Sequence, residues 1–151
     1  MEKIALDFKI KKFEFLSIKE LYALLQLRAE VFIVEQDCVY QDIDYKDQDA
    51  IHILGYKDDE LVAYTRIFKS GLYFDKASIG RVLVKQKERN HAYGYDLMEA
   101  SIQCIYDFYE EQPIKISAQT YLKKFYNNLG FYEVGKEYLE DGIPHIGMIK
   151  S

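Results

Sequence analysis

The chain has 151 residues, of which 49% are apolar and 30% charged, with a net charge of −5. That length and balance suit one globular domain, residues 1–151, with a sizeable core, and exclude a disordered chain. The negative sign speaks against non-specific attraction to nucleic acid or an anionic membrane and fits a small cationic substrate better.

Cys38 and Cys104 have no metal-ligand spacing and make no disulfide framework, so a reducing cytoplasm is expected. No run is long enough to span a bilayer, and the N-terminal residues alternate rather than form an apolar secretion segment.

Residues 4–15 begin with period two, Ile4, Leu6, Phe8 and Ile10 on one parity, which predicts a half-buried strand that bends near Lys11-Lys12. Ser17-Ile18-Lys19-Glu20 is a capping box, with Leu16 and Leu21 as the staple around it. The following helix is expected to run to about Phe32 and to bury Ile18, Leu21, Leu25, Ala29 and Phe32. Residues 35–49 are polar and acidic. They read as a solvated loop, long enough for a functional one, with room for a helical turn.

Residues 50–56 and 60–69 form an antiparallel hairpin, and 76–84 a third strand of the same meander. Leu97, Met98, Ser101, Ile102, Ile105 and Tyr109 mark one face of a helix over 95–109. A short apolar strand follows over 114–118, then a helix over 121–129 closed by Gly130, then two strands joined by Glu140-Asp141-Gly142. This order makes an α+β domain: a mostly antiparallel mixed sheet flanked by helices, with one parallel crossover from 76–84 to 114–118.

The stretch Arg89-Asn90-His91-Ala92-Tyr93-Gly94 lies between a strand and a helix. Backbone N–H groups gathered before a helix N-terminus attract anions, phosphate above all. An ordinary strand-to-helix turn is the plainer reading of that loop taken alone.

With the order of elements in place, the chain resembles the GNAT acyl-CoA N-acyltransferases. In that fold the fourth strand leads into an Arg/Gln-x-x-Gly-x-Gly/Ala loop for the cofactor pyrophosphate, matched here by residues 89–94 with Ala92 in place of the first glycine. Alanine resists positive φ, so the loop is expected to keep φ negative there. Phe125-Tyr126-Asn127-Asn128-Leu129-Gly130-Phe131 resembles a second family signature. Leu27–Gln36, Tyr40–Asp44, His52–Gly55 and Glu140–Met148 look like the ElaA subfamily, across nearly the whole chain.

The resemblance implies acetyl-CoA as cosubstrate, with no metal, and direct transfer of the acetyl group to a small-molecule or peptide amine. It implies Val82, Leu83, Val84, Arg89, Asn90, His91, Ala92, Tyr93, Gly94, Gln119 and Tyr126 as cofactor-binding residues. Val84 N–H is the implied donor to the thioester oxygen, and Tyr126 the acid for the leaving thiolate.

An amine must lose its proton to attack, and the candidates for a base are Glu35, His52 and His145, each with a plain structural reading beside it. Arg28 and Arg66 lie on otherwise apolar elements, so each must be paired, with Glu35 for instance, or line a pocket. Together with Phe32 and His52 they are the expected substrate-binding residues. Cys38 and Cys104 are not expected to act as nucleophiles. A non-catalytic acyl-CoA-binding module is the alternative from another class, and an autoinducer-synthase-like acyltransferase a neighbouring possibility within the fold. A monomer or homodimer is expected.

Overall fold

The structure is a computed structural model that describes residues 3–110 and 112–151. Its strands are β1 (Asp7–Lys12), β2 (Ile51–Lys57), β3 (Glu60–Phe68), β4 (Ala77–Val84), β5 (Ile114–Gln119), β6 (Phe131–Glu140) and β7 (Ile143–Lys150). They form one sheet in the order β1-β2-β3-β4-β5-β7-β6, with β4 and β5 parallel and every other neighbour antiparallel. Helix α2 (Tyr93–Tyr109) covers one face, and α1 (Ile18–Arg28) the other. A short α3 (Lys123–Asn127) follows a 3-10 turn after β5, where a longer helix is expected from sequence.

Helix α1 starts at the capping box. Glu20 N–H donates to Ser17 Oγ at 3.0 Å, and Ser17 N–H to Glu20 Oε1 at 2.8 Å. Past Arg28 the helix widens into a π-helical stretch, Ala29–Glu35. Its fully buried stripe is Leu24, Leu27, Arg28 and Val31; of the expected stripe, Leu21, Leu25 and Phe32 are partly buried against that cluster and Ile18 is 88% exposed. The centre of the stripe is shifted because a guanidinium occupies a core position. Leu24, Leu27 and Val31 meet Leu54, Leu61, Tyr64 and Leu83 of the sheet. On α2, Leu97, Met98, Ser101, Ile102 and Ile105 are buried as their spacing predicts, joined by Cys104. Burial pushes the Cys104 thiol up to about 12, so it is inert at neutral pH.

β1 is an edge strand, and Ile10 is exposed there, contrary to its place in the alternating pattern. At the other end of the chain, Asp141 and Gly142 both take positive φ (52° and 78°), as a two-residue hairpin loop requires.

The acidic loop is solvated only in part. Asp42 and Asp47 are buried, and a 3-10 turn spans Asp47–Asp49. Arg28, fully buried, donates from Nε to Asp42 Oδ2 (2.9 Å) and from Nη1 to Asp47 Oδ1 (2.7 Å). Arg66 reaches Asp44 (2.6 Å) and Asp47 (3.0 Å), and Arg81 reaches Asp42 Oδ1 (2.7 Å). Three guanidinium groups and three carboxylates thus cancel while tying α1, β3 and β4 to the loop. Among the described residues Arg66 Nε is the one buried side-chain donor left without a partner.

His52 belongs to the same cluster. Its Nε2 donates to the Asp47 carbonyl (2.9 Å) and its Nδ1 shares a hydrogen bond with the Tyr64 hydroxyl, an arrangement a neutral ring satisfies with Nδ1 as acceptor. Burial lowers its pKa and favours that form.

Removing one partner strands the others. Arg28→Met is expected to destabilise the fold by about 3–5 kcal/mol, because Asp42 and Asp47 lose a buried counter-charge; urea denaturation measures the loss. Burial alone would raise the Asp44 carboxyl, but hydrogen bonding and charge from Arg66 hold it at about 2, against 3.8 for a free group. A depressed carboxylate contributes its stability above the unfolded value and loses it as pH falls through the folded one. The stability gap between wild type and Asp44→Asn should therefore close as pH falls from about 4 to about 2, read by denaturation across that range.

Candidate active site

β4 and β5 pair only at Ala77–Ile114 and Ser78–Lys115 and then part. β4 carries a bulge at the parting. Tyr64 faces Leu83 while Arg66 faces Gly80, so Thr65 opposes both Arg81 and Val82. Arg81 sits in the left-handed region (φ 52°), and its ion pair with Asp42 helps offset that strain.

Beyond the bulge, Lys85 N–H donates to Val62 O at 2.7 Å. By strand alternation the amides of Val82 and Val84 then face away from β3, into the gap that β5 has left. Val84 O accepts from Arg89 Nε on that side, at 2.9 Å.

The gap is a cleft of about 360 Å3. Val82, Leu83 and Val84 form one wall, and Arg89, Asn90, Ala92, Tyr93 and Gly94 the α2 end. Gln119, Leu122, Phe125 and Tyr126 form the opposite wall, and Phe32 and Glu35 of the π-helical stretch, with Gln36 just after it, close the third side. His91 stands outside, exposed, with its ring against Tyr93.

At the α2 terminus no side chain caps the helix; Tyr95 N–H turns back to Ala92 O at 3.2 Å, and the end is otherwise open to a ligand. Ala92 has φ +59°, contrary to the negative value expected from an alanine, and Asn90 is also positive at 80°. The turn into α2 demands the left-handed conformation, and alanine adopts it at a cost of about 1–2 kcal/mol. Gly94 lies close to the opposite wall: a Cβ there would sit 3.2 Å from the Phe125 ring, which would have to shift by a few tenths of an ångström.

A second chamber of about 110 Å3 adjoins the cleft, sharing Phe32, Gln36, Val82, Gln119, Leu122 and Tyr126 with it. Its own walls include Cys38, Tyr40, Arg81, Ser117, Glu140, Asp141 and His145. Tyr126 is buried between the two spaces, and burial raises its phenol pKa, so it is protonated at neutral pH.

Among the candidate bases, His145 borders the chamber. Its Nδ1 donates to Ile143 O at 2.7 Å, and its Nε2 lies 3.3 Å from Glu140 Oε2. Glu35 borders the cleft and is paired with Arg89, not with Arg28 or Arg66. Arg28 and His52 touch neither space, being engaged in the buried network. Arg66 reaches only a small cavity of about 60 Å3 behind the chamber.

The acetyltransferase (GNAT) domain model matches residues 19–151. The chain belongs to the GNAT acetyltransferase family. Within it the chain is 48% identical to protein ElaA of Escherichia coli over 138 residues, 90% of each chain. The crystal structure of E. coli ElaA superimposes with a TM-score of 0.90 at 44% identity, over 97% of this chain and 99% of that one. An acyl-CoA N-acyltransferase from Pseudomonas aeruginosa gives a TM-score of 0.92 at 41% identity, over 97% and 100%. The AHL synthase LasI shares the fold alone, at 14% identity and a TM-score of 0.75 over 95% and 88%.

Residues of this GNAT site that sequence reasoning did not single out include Arg81, Tyr40, Glu140 and Asp141. Arg81 had a signal, a lone charge within the apolar run Ile79–Val84. Tyr40 lies on the loop, Asp141 in the hairpin turn and Glu140 at the end of β6 beside it, where polarity is ordinary and carries no such signal.

Ala92→Gly should relieve the left-handed strain and raise stability by about 1 kcal/mol, less whatever the freer unfolded chain takes back. Thermal unfolding checks it. A drop in melting temperature would mean that the methyl group packs in some way its φ does not suggest.

Proposed function

We propose that this GNAT protein is an acetyl-CoA-dependent N-acetyltransferase acting on a small-molecule or peptide amine. The observation that carries the reading is the cleft where β4 and β5 part. It joins an uncapped helix terminus, two inward backbone amides and a buried phenol in one continuous space.

The residues fit the cosubstrate. The α2 terminus and Arg89 suit a pyrophosphate, and the walls from Val82 to Tyr126 suit an extended, partly apolar arm. Acetyl-CoA supplies the acetyl group activated as a thioester. Val84 N–H, with Val82 N–H beside it, donates to the carbonyl oxygen as that oxygen gains charge. The amine nitrogen bonds to the acetyl carbon as the carbon–sulfur bond breaks, and Tyr126 protonates the departing sulfur.

His145 takes the amine proton, directly or through water. It is placed ahead of Glu35 because it borders the acceptor chamber, whereas Glu35 is neutralised by Arg89. Phe32 lies at the junction of the two spaces and positions the acceptor. Arg28, Arg66 and His52 act at one remove, by holding the acidic loop. No helix among the described residues is long and apolar enough to cross a membrane, which accords with action in the cytoplasm.

Calorimetry with acetyl-CoA is the first test: saturable binding is expected, and none at high micromolar cofactor would overturn the reading. Tyr126→Phe should lower kcat by about 10²-fold or more with little change in acetyl-CoA affinity. Binding without thiol release across a broad amine panel would instead indicate a non-catalytic acyl-CoA sensor.

A further inference from the structure

The cation of the cofactor cleft is already engaged. Arg89 donates from Nη1 to Glu35 Oε2 at 2.5 Å and from Nη2 to Glu35 Oε1 at 3.0 Å, a bidentate pair. Its Nε donates to Val84 O at 2.9 Å, which anchors the guanidinium at the end of β4. Both residues line the cleft together with the start of α2. The free protein therefore presents a carboxylate, not an open fork, at the end of the cleft that suits a pyrophosphate.

Glu35 is the last residue of the π-helical stretch Ala29–Glu35, and that stretch is tied to both walls of the cleft. Glu30 Oε2 lies 3.9 Å from Lys85 Nζ just past β4, and Glu35 holds Arg89. The next residue, Gln36, accepts at Oε1 from Gln119 Nε2 at the end of β5, at 3.5 Å. Consecutive residues thus reach opposite walls, and the end of the stretch bridges them.

A phosphate cannot take the fork while Glu35 holds it. The carboxylate uses one N–H of each Nη, and Nε is engaged by Val84 O. A diphosphate set beside an undisplaced carboxylate would also meet a like charge within a few ångström. The pair is weak enough to yield. Its side chains are 38% and 27% exposed, and an ion pair so open to water shifts an equilibrium by no more than about fivefold.

We propose that Glu35 is an internal competitor for the cosubstrate: it holds Arg89 in the free protein and gives up the fork to the pyrophosphate as acetyl-CoA binds. This rests on the acetyl-CoA reading above. One anion replaces another on Arg89, and Nε keeps the guanidinium on Val84 O throughout. Glu35 borders the cleft and not the acceptor chamber, so its release leaves His145 as the base. Only the fraction of protein with Arg89 released binds the pyrophosphate fully, so Glu35 sets cofactor affinity below what the open fork would give.

Calorimetry with acetyl-CoA on the wild type, Glu35→Gln, Arg89→Gln and the double variant forms a double-mutant cycle. Glu35→Gln keeps the size of the side chain, removes its charge, and is expected to bind acetyl-CoA about fivefold more tightly. Arg89→Gln should bind more weakly, and adding Glu35→Gln to it should change the affinity by less than about twofold. Glu35→Asp keeps the charge and shortens the reach. It should also bind more tightly than the wild type, and this arm needs no change at Arg89.

Unchanged or weaker binding by Glu35→Gln overturns the inference, and weaker binding is what a merely structural role for Glu35 would give. An equal gain with and without Arg89 overturns it as well, because the carboxylate would then act by repelling the cosubstrate and not by holding the arginine. So does a Glu35→Asp protein that binds as the wild type does. In each of these cases the acetyl-CoA reading stands. No saturable binding by the wild type or any variant overturns both.

Discussion

β4 and β5 run parallel yet share hydrogen bonds only near Ala77 and Ser78, and the site exists because they part beyond that point. Two strands leaving one another expose backbone groups that need partners. Here the exposed groups are the amides of Val82 and Val84, turned into the gap by the register on the far side of the Arg81 bulge. The helix after β4 begins at the mouth of the same gap, and the short helix after β5 forms its other wall. Cofactor cleft, inward amides and phenol are consequences of one break in one ladder.

That break is held from outside the sheet. Arg81 takes a left-handed backbone at the bulge and is tied to Asp42, whose other oxygen is tied to Arg28 on α1. Arg66 on β3 joins the same set through Asp44 and Asp47. Buried ion pairs of this kind give little net stability over well-packed apolar groups, since desolvation opposes the Coulomb attraction. Their effect is geometric. Each carboxylate has one arrangement that satisfies its arginines, so the loop from Gln36 to Ala50 has one way to lie against β4. Tyr40 and Cys38, on that loop, then become walls of the acceptor chamber.

The division of charge follows from the same arrangement. The network pairs Arg81, the arginine of the chamber wall, with Asp42 and leaves Glu140 facing His145. At the opposite end Arg89 is held by Glu35 and by the Val84 carbonyl, at the side where phosphates would lie. The site thus has an uncapped helix terminus beside the Arg89–Glu35 pair at one end and Glu140 with His145 at the other.

Sequence by itself determined the elements whose signals are local. The Ser17–Glu20 box starts α1, the apolar spacing of Leu97 to Ile105 sets the buried face of α2, and Asp141-Gly142 makes the last hairpin. Residues 89–94 and Phe125–Phe131 were legible as family signatures, enough for the fold and the class of cosubstrate. Tertiary structure alone decided the rest. The centre of the α1 stripe was misread because a buried arginine looks polar until its aspartates, distant in sequence, are brought beside it. Ala92 takes the φ that the turn into α2 imposes, whatever its own preference. Asp42 and Asp47 read as solvated because an acidic loop carries no record of the arginines it will meet. Which charges are cancelled, and which are left facing the chamber, depends on pairing across the fold, and no local pattern encodes that.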